Sequence, residues 1–264
     1  MLSYRKLAMR VLGRPLHTGG GGNDSPRPAS QRAAAFVLTA ALLTGAAFPA
    51  FAGTYHIEEG DIVISAGTEA GTNKVEQGGT LKSENDTGTI ITGTSNENTV
   101  TIDTSEGNVD VTFDDLKIDA SSRVNPSATT LNDTSYAAVN VTGKGDTNIE
   151  LDGDNELKSG RYRAGLEHNQ TADREGNVTS GKLTSQDDKG NAGSLTATGG
   201  QFAAGIGGAS ANAGQVIITG GTIGAVGGEG AAGIGGGVYG TGHDIEISGG
   251  KVSASGGSYS GPED

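Results

Sequence analysis

The chain of 264 residues has no cysteine and no tryptophan, and only 4% of its residues are aromatic. Without cysteine it can form no disulfide, no cysteine-ligated metal site and no thiol redox centre. Hydrophobic residues make up only 33%, which is low for a domain with one thick core. After Ala52 the sequence also lacks sustained helical periodicity. What it contains instead is 47 glycines and short alternating stretches of β-branched residues, a pattern typical of short strands and tight turns.

The second half of the chain repeats itself. The letters AAGIGG occur at residues 203–208 and again at 231–236, 28 positions apart. Their flanks repeat too, because GSLTATGG, GTIGAVGG and GKVSASGG place Leu195, Ile223 and Val252 at equivalent positions. VIITGG and IEISGG recur in the same order, 29 positions apart. A fixed period of about 20–50 residues is typical of solenoids and propellers.

The repeat predicts how the strands pack. Each strand has a single apolar face, which only a neighbouring repeat can bury. Stacking would place equivalent residues about 4.8 Å apart, with Ile206 and Ile234 pointing inward and glycine pairs at the corners. We therefore predict an all-β fold, a right-handed parallel β-helix (solenoid) with coils of about 28 residues. The alternative, a propeller, would need four antiparallel strands in each repeat.

The predicted β-helix spans residues 53–264, with irregular coils over 53–191 and regular GIGG repeats over 192–257. Residues 123–136 and 168–191 are predicted to project as loops, which are either binding loops or tolerated insertions. The repeat is still running at GKVSASGG, and SYSGPED is too short to cover its last layer. We therefore expect an uncovered last repeat in a chain truncated at its C-terminus, unless more chain follows.

Residues 1–52 are predicted to be a signal peptide with an extended basic N-region. An apolar run over residues 33–52 ends in Ala50-Phe51-Ala52, and this order of segments is typical of secretion. We expect cleavage between Ala52 and Gly53 and a secreted or cell-surface protein; the alternative is a membrane anchor, since the run is near spanning length. The basic residues before the run are Arg5, Lys6, Arg10, Arg14, Arg27 and Arg32.

The charge of the chain excludes some partners. Residues 1–52 carry a net charge of +5, from six basic residues and Asp24. Since the whole chain carries −13, the rest of the chain carries −18. Such an acidic domain is not expected to bind nucleic acid, but it suits an extracellular surface that holds cations. GEGAAG at residues 228–233 matches the nucleotide-binding residue pattern G-x-G-x-x-G. That motif requires a helix directly after it, and the sequence predicts none here. We therefore expect no bound nucleotide.

Four carboxylates are candidate calcium ligands. Asp114 and Asp115 stand in FDDLK, and Asp152 and Asp154 stand in LDGDNE. At corners of adjacent coils they would offer the oxygen ligands that Ca²⁺ takes. The alternative is ordinary turn chemistry, since aspartate is common at corners.

The few aromatic residues bear on ligand binding. Tyr162 and Tyr239 stand in polar, glycine-rich surroundings and are predicted to be exposed, with Arg161 and Arg163 beside Tyr162. Aromatic faces supply large contact areas, so these four residues are the predicted carbohydrate-binding residues. No catalytic residue is predicted. KSGRYR at 158–163 offers a base near the aspartates. The histidines after residue 52, at His56, His168 and His243, form no known catalytic pattern.

The runs IITGTSNENTVTI, NVDVTFDDLKIDAS, AAVNVTG, NIELDGDNELKSG and the GIGG repeats cover most of residues 54–257. In this order they resemble a family of secreted bacterial carbohydrate-binding β-helix domains. That resemblance implies a fold like that of polysaccharide lyases, binding of cellulose or pectic polymers without cleavage, and calcium.

The expected function is therefore that of a secreted or surface-exposed, non-catalytic module that binds an extracellular polysaccharide or acts in adhesion. Membrane contact is expected only through the signal peptide before cleavage. Two alternatives stay open: a structural stalk within a larger adhesin, without a ligand, and a calcium-dependent polysaccharide lyase.

Overall fold

The computed structural model describes residues 52–130, 134–189 and 192–258. These ranges contain 19 β-strands and a single 3₁₀ turn at Ile57–Glu59. No helix within them has the length and apolar composition of a membrane span. The protein is therefore all-β, as predicted. The predicted signal peptide lies outside the described residues, apart from Ala52.

Most strands are three to seven residues long. In chain order they are β1 Thr54–His56, β2 Ile62–Ala66, β3 Asn73–Gln77, β4 Thr80–Asp86, β5 Thr89–Ser95, β6 Val100–Thr104, β7 Val109–Asp119, β8 Val139–Gly143, β9 Thr147–Asp152, β10 Asp154–Lys158, β11 Leu166–His168, β12 Lys182–Gln186, β13 Ser194–Thr198, β14 Ile206–Gly207, β15 Gln215–Ile218, β16 Thr222–Glu229, β17 Ile234–Gly235, β18 Ile245–Ile247 and β19 Lys251–Gly257.

The described strands form two sheets, which are parallel apart from the antiparallel pairs β2-β3 and β3-β4. The eleven-stranded sheet has the order β18-β15-β12-β9-β7-β10-β13-β16-β19, with β5 and β1 joined to β7. The eight-stranded sheet has the order β17-β14-β11-β8-β6-β2-β3-β4, and only its β2-β3-β4 end is antiparallel among the described strands. Since propeller blades are antiparallel throughout, the propeller alternative is wrong.

Strand β7 lies at the centre of the larger sheet because it bends. Its first half, Val109–Asp114, pairs with β9. Its end, Lys117–Asp119, pairs with β10. Between them the backbone of Asp115 has φ 51°, a left-handed conformation that turns the strand. The strands before and after this bend therefore continue as two rows, one through β9, β12, β15 and β18, the other through β10, β13, β16 and β19.

The predicted register is confirmed in the second half of the chain. Leu195 pairs with Ile223, and Ile223 pairs with Val252. Ile206 likewise pairs with Ile234. Ile206, Leu195 and Ile223 are at most 1% exposed, while Ile234 and Val252 are partly buried against the same core. Equivalent residues of successive repeats thus stack upon one another.

In the first half, where irregular coils are predicted, most steps between paired residues are longer than 28 positions. Ile118 pairs with Leu157, 39 positions on, and Leu157 pairs with Ala197, 40 positions on. Part of the excess falls in the predicted loops. The prediction of a loop over residues 168–191 is wrong in part, because His168 ends β11 and Lys182–Gln186 forms β12. Residues 120–138 contain no strand where they are described, and neither do residues 169–181. Insertions lengthen these repeats because a loop leaving a strand end does not disturb the pairing inside the sheet.

A narrow apolar core runs between the sheets. Its largest fully buried side chains come from alternate strand positions and include Phe113, Ile62, Ile102, Leu151 and Leu166. Each such side chain contributes about 1.5–3 kcal/mol by leaving water. Glycine permits the closest approach of one repeat to the next. A Cβ at Gly200 would collide with the carbonyl group of Gly160.

The two ends of the stacked repeats differ. At one end the β3-β4 hairpin continues the smaller sheet beyond β2. At the other end β18 and β19 are the outer strands of the larger sheet, and Ile245 and Ile247 on β18 are 37% and 52% exposed.

Candidate functional site

Three segments of the chain occupy equivalent places ahead of the smaller sheet. They read GRYRAGL at residues 160–166, GQFAAGI at 200–206 and GEGAAGI at 228–234. Their last residues pair across β11, β14 and β17. Counting back from these pairs makes Tyr162 and Phe202 equivalent to each other and to Gly230.

All three equivalent residues have a left-handed backbone. The φ angle is 64° at Tyr162, 72° at Phe202 and 71° at Gly230. Glycine adopts this conformation freely, but a side-chain-bearing residue held there costs about 1–3 kcal/mol. The neighbouring repeat maintains it, because the backbone N–H of Tyr162 donates to the carbonyl of Gln201 at 2.9 Å. Two aromatic residues therefore stand at a corner where glycine would be less strained.

The two rings stack upon each other. Their centroids are 5.4 Å apart and their planes differ by 27°, the separation expected of a favourable aromatic pair. The guanidinium of Arg161 lies 4.6 Å from the Tyr162 centroid and 5.6 Å from the Phe202 centroid. Both rings are half-buried, and Arg161 is exposed. We name Arg161, Tyr162 and Phe202 the aromatic cluster.

The aromatic cluster combines two half-buried aromatic rings with an exposed cation beside them. Small-molecule sites pair apolar area with a few placed polar groups in a similar way. The guanidinium can donate to hydroxyl oxygens or pair with a carboxylate in two parallel hydrogen bonds. Two of the four predicted binding residues, Arg161 and Tyr162, belong to it.

Arg163 points to a different partner. Its guanidinium forms an ion pair with Glu167 at 2.9 Å, and Glu167 is only 1% exposed. The carboxylate also accepts hydrogen bonds from Asn169 at 2.9 Å and from the backbone of Ala164 at 3.2 Å. Burial raises the pKa of Glu167, and the charge of Arg163 opposes that rise. Arg163 therefore serves first to compensate a buried carboxylate.

The same arginine lines a small cleft. The cleft has a volume of about 270 Å³, and Tyr136 and Asn140 are among its other walls. The Tyr136 ring carries the guanidinium of Arg123 at 3.9 Å from its centroid. Arg123 in turn reaches Asp61 with two hydrogen bonds of 2.7 Å. This network ties the loop at residues 120–138 to the start of the domain.

Tyr239 lies outside the stacked pair. It is 97% exposed and left-handed, with φ 67°. Its neighbour Val238 donates its backbone N–H to the carbonyl of Phe202 at 2.9 Å. The loop that carries Tyr239 is thus fastened to the aromatic cluster, while the Tyr239 side chain projects into solvent.

The four candidate calcium ligands gather at one corner. Asp114 and Asp152 are paired on β7 and β9. Asp115 accepts the backbone N–H of Asp154 at 2.9 Å, and Asp154 accepts the hydroxyl of Ser194 at 2.9 Å. Within residues 52–130, 134–189 and 192–258, no group of three or more acidic or histidine side chains is arranged to hold a metal ion. Hydrogen bonds between neighbouring repeats account for Asp115 and Asp154.

The residues considered for catalysis are dispersed. Lys158 pairs with Asp119 at 3.1 Å. His168 is buried on β11, where its Nε2 lies 2.9 Å from the carbonyl oxygen of Gly181; burial lowers its pKa. His56 lies on β1, and His243 lies in the turn before β18, both exposed.

Sequence reasoning missed Phe202 and Glu167. An alignment of GRYRAGL with GQFAAGI would have placed Phe202 beside Tyr162. The two segments share only glycine, alanine and one apolar residue, which is too little to align them from the sequence alone. Nothing in LEH at residues 166–168 indicates that an outward-facing glutamate is covered. That covering depends on Arg163 and on Asn169, which follows the strand.

No family model, no curated protein and no solved structure matches the chain. The resemblance to carbohydrate-binding β-helix domains therefore stays a prediction.

Proposed function

We propose that this protein is a secreted, right-handed parallel β-helix that binds an extracellular polysaccharide at the aromatic cluster and does not cleave it. The parallel rows of strands support the β-helix, because each row adds one strand for every repeat. A helix of this kind presents equivalent corners at a regular rise along an extended surface, which suits the binding of a linear polymer.

One observation carries the binding proposal. Tyr162 and Phe202 occupy left-handed positions at which the next repeat has Gly230. Strained backbone conformations cluster at ligand-binding and active sites, and an observed outlier therefore motivates a hypothesis of function. The strained backbone places two stacked aromatic rings beside a guanidinium. The rings suit the apolar face of a sugar ring, and the guanidinium suits a polar or acidic substituent next to it.

The charge of the protein bears on the type of polymer. The net charge of −18 beyond residue 52 repels an acidic chain at long range. Arg161 supplies local attraction, and calcium would supply more by bridging carboxylates of the protein and the polymer. The predicted calcium dependence therefore belongs in the same assay, with neutral and acidic polysaccharides as separate arms.

The proposal is tested by measuring the binding of exported protein to cello-oligosaccharides and to oligogalacturonates, each with added calcium and with chelator. Tyr162→Gly and Phe202→Gly are the informative variants, because glycine keeps the left-handed backbone and removes only the ring. We expect each to weaken binding about tenfold or more, equivalent to about 1.4 kcal/mol, without loss of folding stability.

Asp244→Gly is the matched control. Asp244 is exposed and left-handed, with φ 55°, so the same substitution changes the backbone in the same way far along the chain. It should leave affinity unchanged. Binding that is equally strong in Tyr162→Gly and the control would contradict the proposed site. Absence of binding to every saccharide would support the stalk alternative, and release of unsaturated uronates would support the lyase.

A further inference from the structure

A buried carboxylate without a cationic partner lies near the start of the domain. Asp86 ends β4 and is 1% exposed. It accepts the backbone N–H of Gly53 at 3.1 Å from each carboxylate oxygen, the N–H of Gly88 at 3.0 Å and the hydroxyl of Tyr55 at 2.5 Å. Among the described residues, no lysine, arginine or histidine forms an ion pair with it.

An ionised Asp86 carboxylate without a cationic partner destabilises the folded protein. Burying an ionised carboxylate is strongly unfavourable unless it is both hydrogen-bonded and paired with a positive charge. Neutral donors satisfy the hydrogen bonds of Asp86, but they supply no charge. The environment also raises the pKa of Tyr55, first by burial and then through Asp86, so Tyr55 remains a neutral donor. The missing element is a cation within reach of both carboxylate oxygens.

The residue that touches both oxygens follows the predicted cleavage site. Ala52 is exposed and Gly53 is half-buried. Gly53 leaves no space for a side chain, because a Cβ there would collide with the carboxylate of Asp86 and the hydroxyl of Tyr55. Its nitrogen is held further by the pairing of its own carbonyl with the N–H of Ile90 at 2.9 Å. A new chain terminus at this position would therefore be held in place.

We propose that cleavage between Ala52 and Gly53 supplies the missing cation, because the freed α-ammonium of Gly53 then pairs with the Asp86 carboxylate. A peptidase of the export route hydrolyses the bond with one water: Ala52 leaves as a carboxylate, and the Gly53 nitrogen becomes an amine that is protonated at neutral pH. The nitrogen already bonds both oxygens, so the pair forms without rearrangement. This inference rests on the export included in the proposed function.

The pair makes maturation a stabilising step. A free α-amine has a pKa of about 7.7–8.0, and a carboxylate in contact raises it. A raised pKa in the folded state contributes stability that is fully present below the unfolded pKa and is lost as the pH rises through the folded pKa. The loss therefore begins at about pH 8.

Other titratable groups near Gly53 do not mimic this behaviour. Asp86 bonds the nitrogen, and Tyr55 donates to Asp86; Tyr55 titrates above the relevant range because its pKa is raised. Lys82 and Glu84 lie on β4 with exposed side chains, as does His56 on β1.

The test uses the exported protein, with its first residue determined by N-terminal sequencing. Denaturant unfolding from pH 6 to pH 10 should show the folding equilibrium constant of the wild type falling above about pH 8, by up to about tenfold for each unit by which the amine pKa is raised. Asp86→Asn should remove this dependence. Glu106→Gln, at an exposed carboxylate, should retain it.

A second measurement decides the matter if Asp86→Asn does not fold. At pH 7 the α-amine of folded wild type should react with an acylating reagent at least ten times more slowly than that of the urea-unfolded protein. Equal reactivity, identical pH profiles for wild type and Asp86→Asn, or a first residue other than Gly53 would each overturn the inference. Saccharide binding is measured separately, so its failure leaves these results interpretable.

Discussion

Replacing Ile206 with aspartate probes the stacking of the repeats most directly. Ile206 is 1% exposed and pairs with Leu166 on one side and Ile234 on the other. Removing the isoleucine forfeits about 2–3 kcal/mol of burial, and the buried carboxylate adds a penalty of several kcal/mol. Because domain stabilities are about 5–15 kcal/mol, Ile206→Asp should largely unfold the domain.

Two further variants calibrate this expectation. Ile234 is only partly buried, so Ile234→Asp should destabilise clearly but by less. Lys251 is exposed on β19, and Lys251→Asp should change stability by no more than about 0.5 kcal/mol. Should the Ile206→Asp variant be too unstable to measure, Ile206→Ala supplies a value, with an expected loss of about 2–5 kcal/mol.

Urea unfolding followed by far-ultraviolet circular dichroism gives the free energy of unfolding for each variant. The reasoning requires the order Ile206, Ile234, Lys251, from most to least destabilised. Equal losses at the three positions, or a larger loss at Lys251 than at Ile206, would refute the assigned register.

Three other predictions concern packing, titration and local stability. Gly200→Ala should lower the free energy of unfolding by about 2 kcal/mol or more, because its Cβ would collide with Gly160. Gly176 has φ 88° and open space around it, so Gly176→Ala should cost only about 1 kcal/mol through backbone strain. The pKa of Glu167 is raised, so wild type should lose stability relative to Glu167→Gln in unfolding measurements as the pH rises above about 4.3; a pH-independent difference would contradict this. Amide hydrogens of β18, an outer strand, should exchange faster than those of β9, and equal protection would argue that β18 is covered.

The regular part of the fold was predictable because its sequence repeats. Leu195, Ile223 and Val252 could be aligned by eye, and parallel in-register pairing then follows from the need of each apolar face for an identical neighbour. The long steps before Leu195 could not be predicted in the same way. Strands in this part share alternating apolar and polar residues but no repeated sequence. The pairing of Ile118 with Leu157 and the bend at Asp115 are therefore not evident in the sequence.

The candidate site was predictable in part. Arg161 and Tyr162 stand out by residue type in a chain poor in aromatics, and the structure brings them together with Phe202. The direction of Arg163 was not predictable, because it depends on a glutamate four positions later whose burial is a tertiary effect. The bond between Gly53 and Asp86 spans 33 positions and joins residues that no local pattern connects.

The order in which the strands pair has a consequence for how the protein forms. After β9, one row of the larger sheet is extended by successive strands along the chain. Strands β12, β15 and β18 each join a strand that precedes them in the sequence. No strand of this row has to insert between two that are already bonded. A chain that emerges N-terminus first can therefore fold in the order in which it emerges, with each finished edge serving as the template for the next segment. Its open edges on these rows would then lie only at the growing end, and lengthening the protein by another repeat would leave the part already folded unchanged.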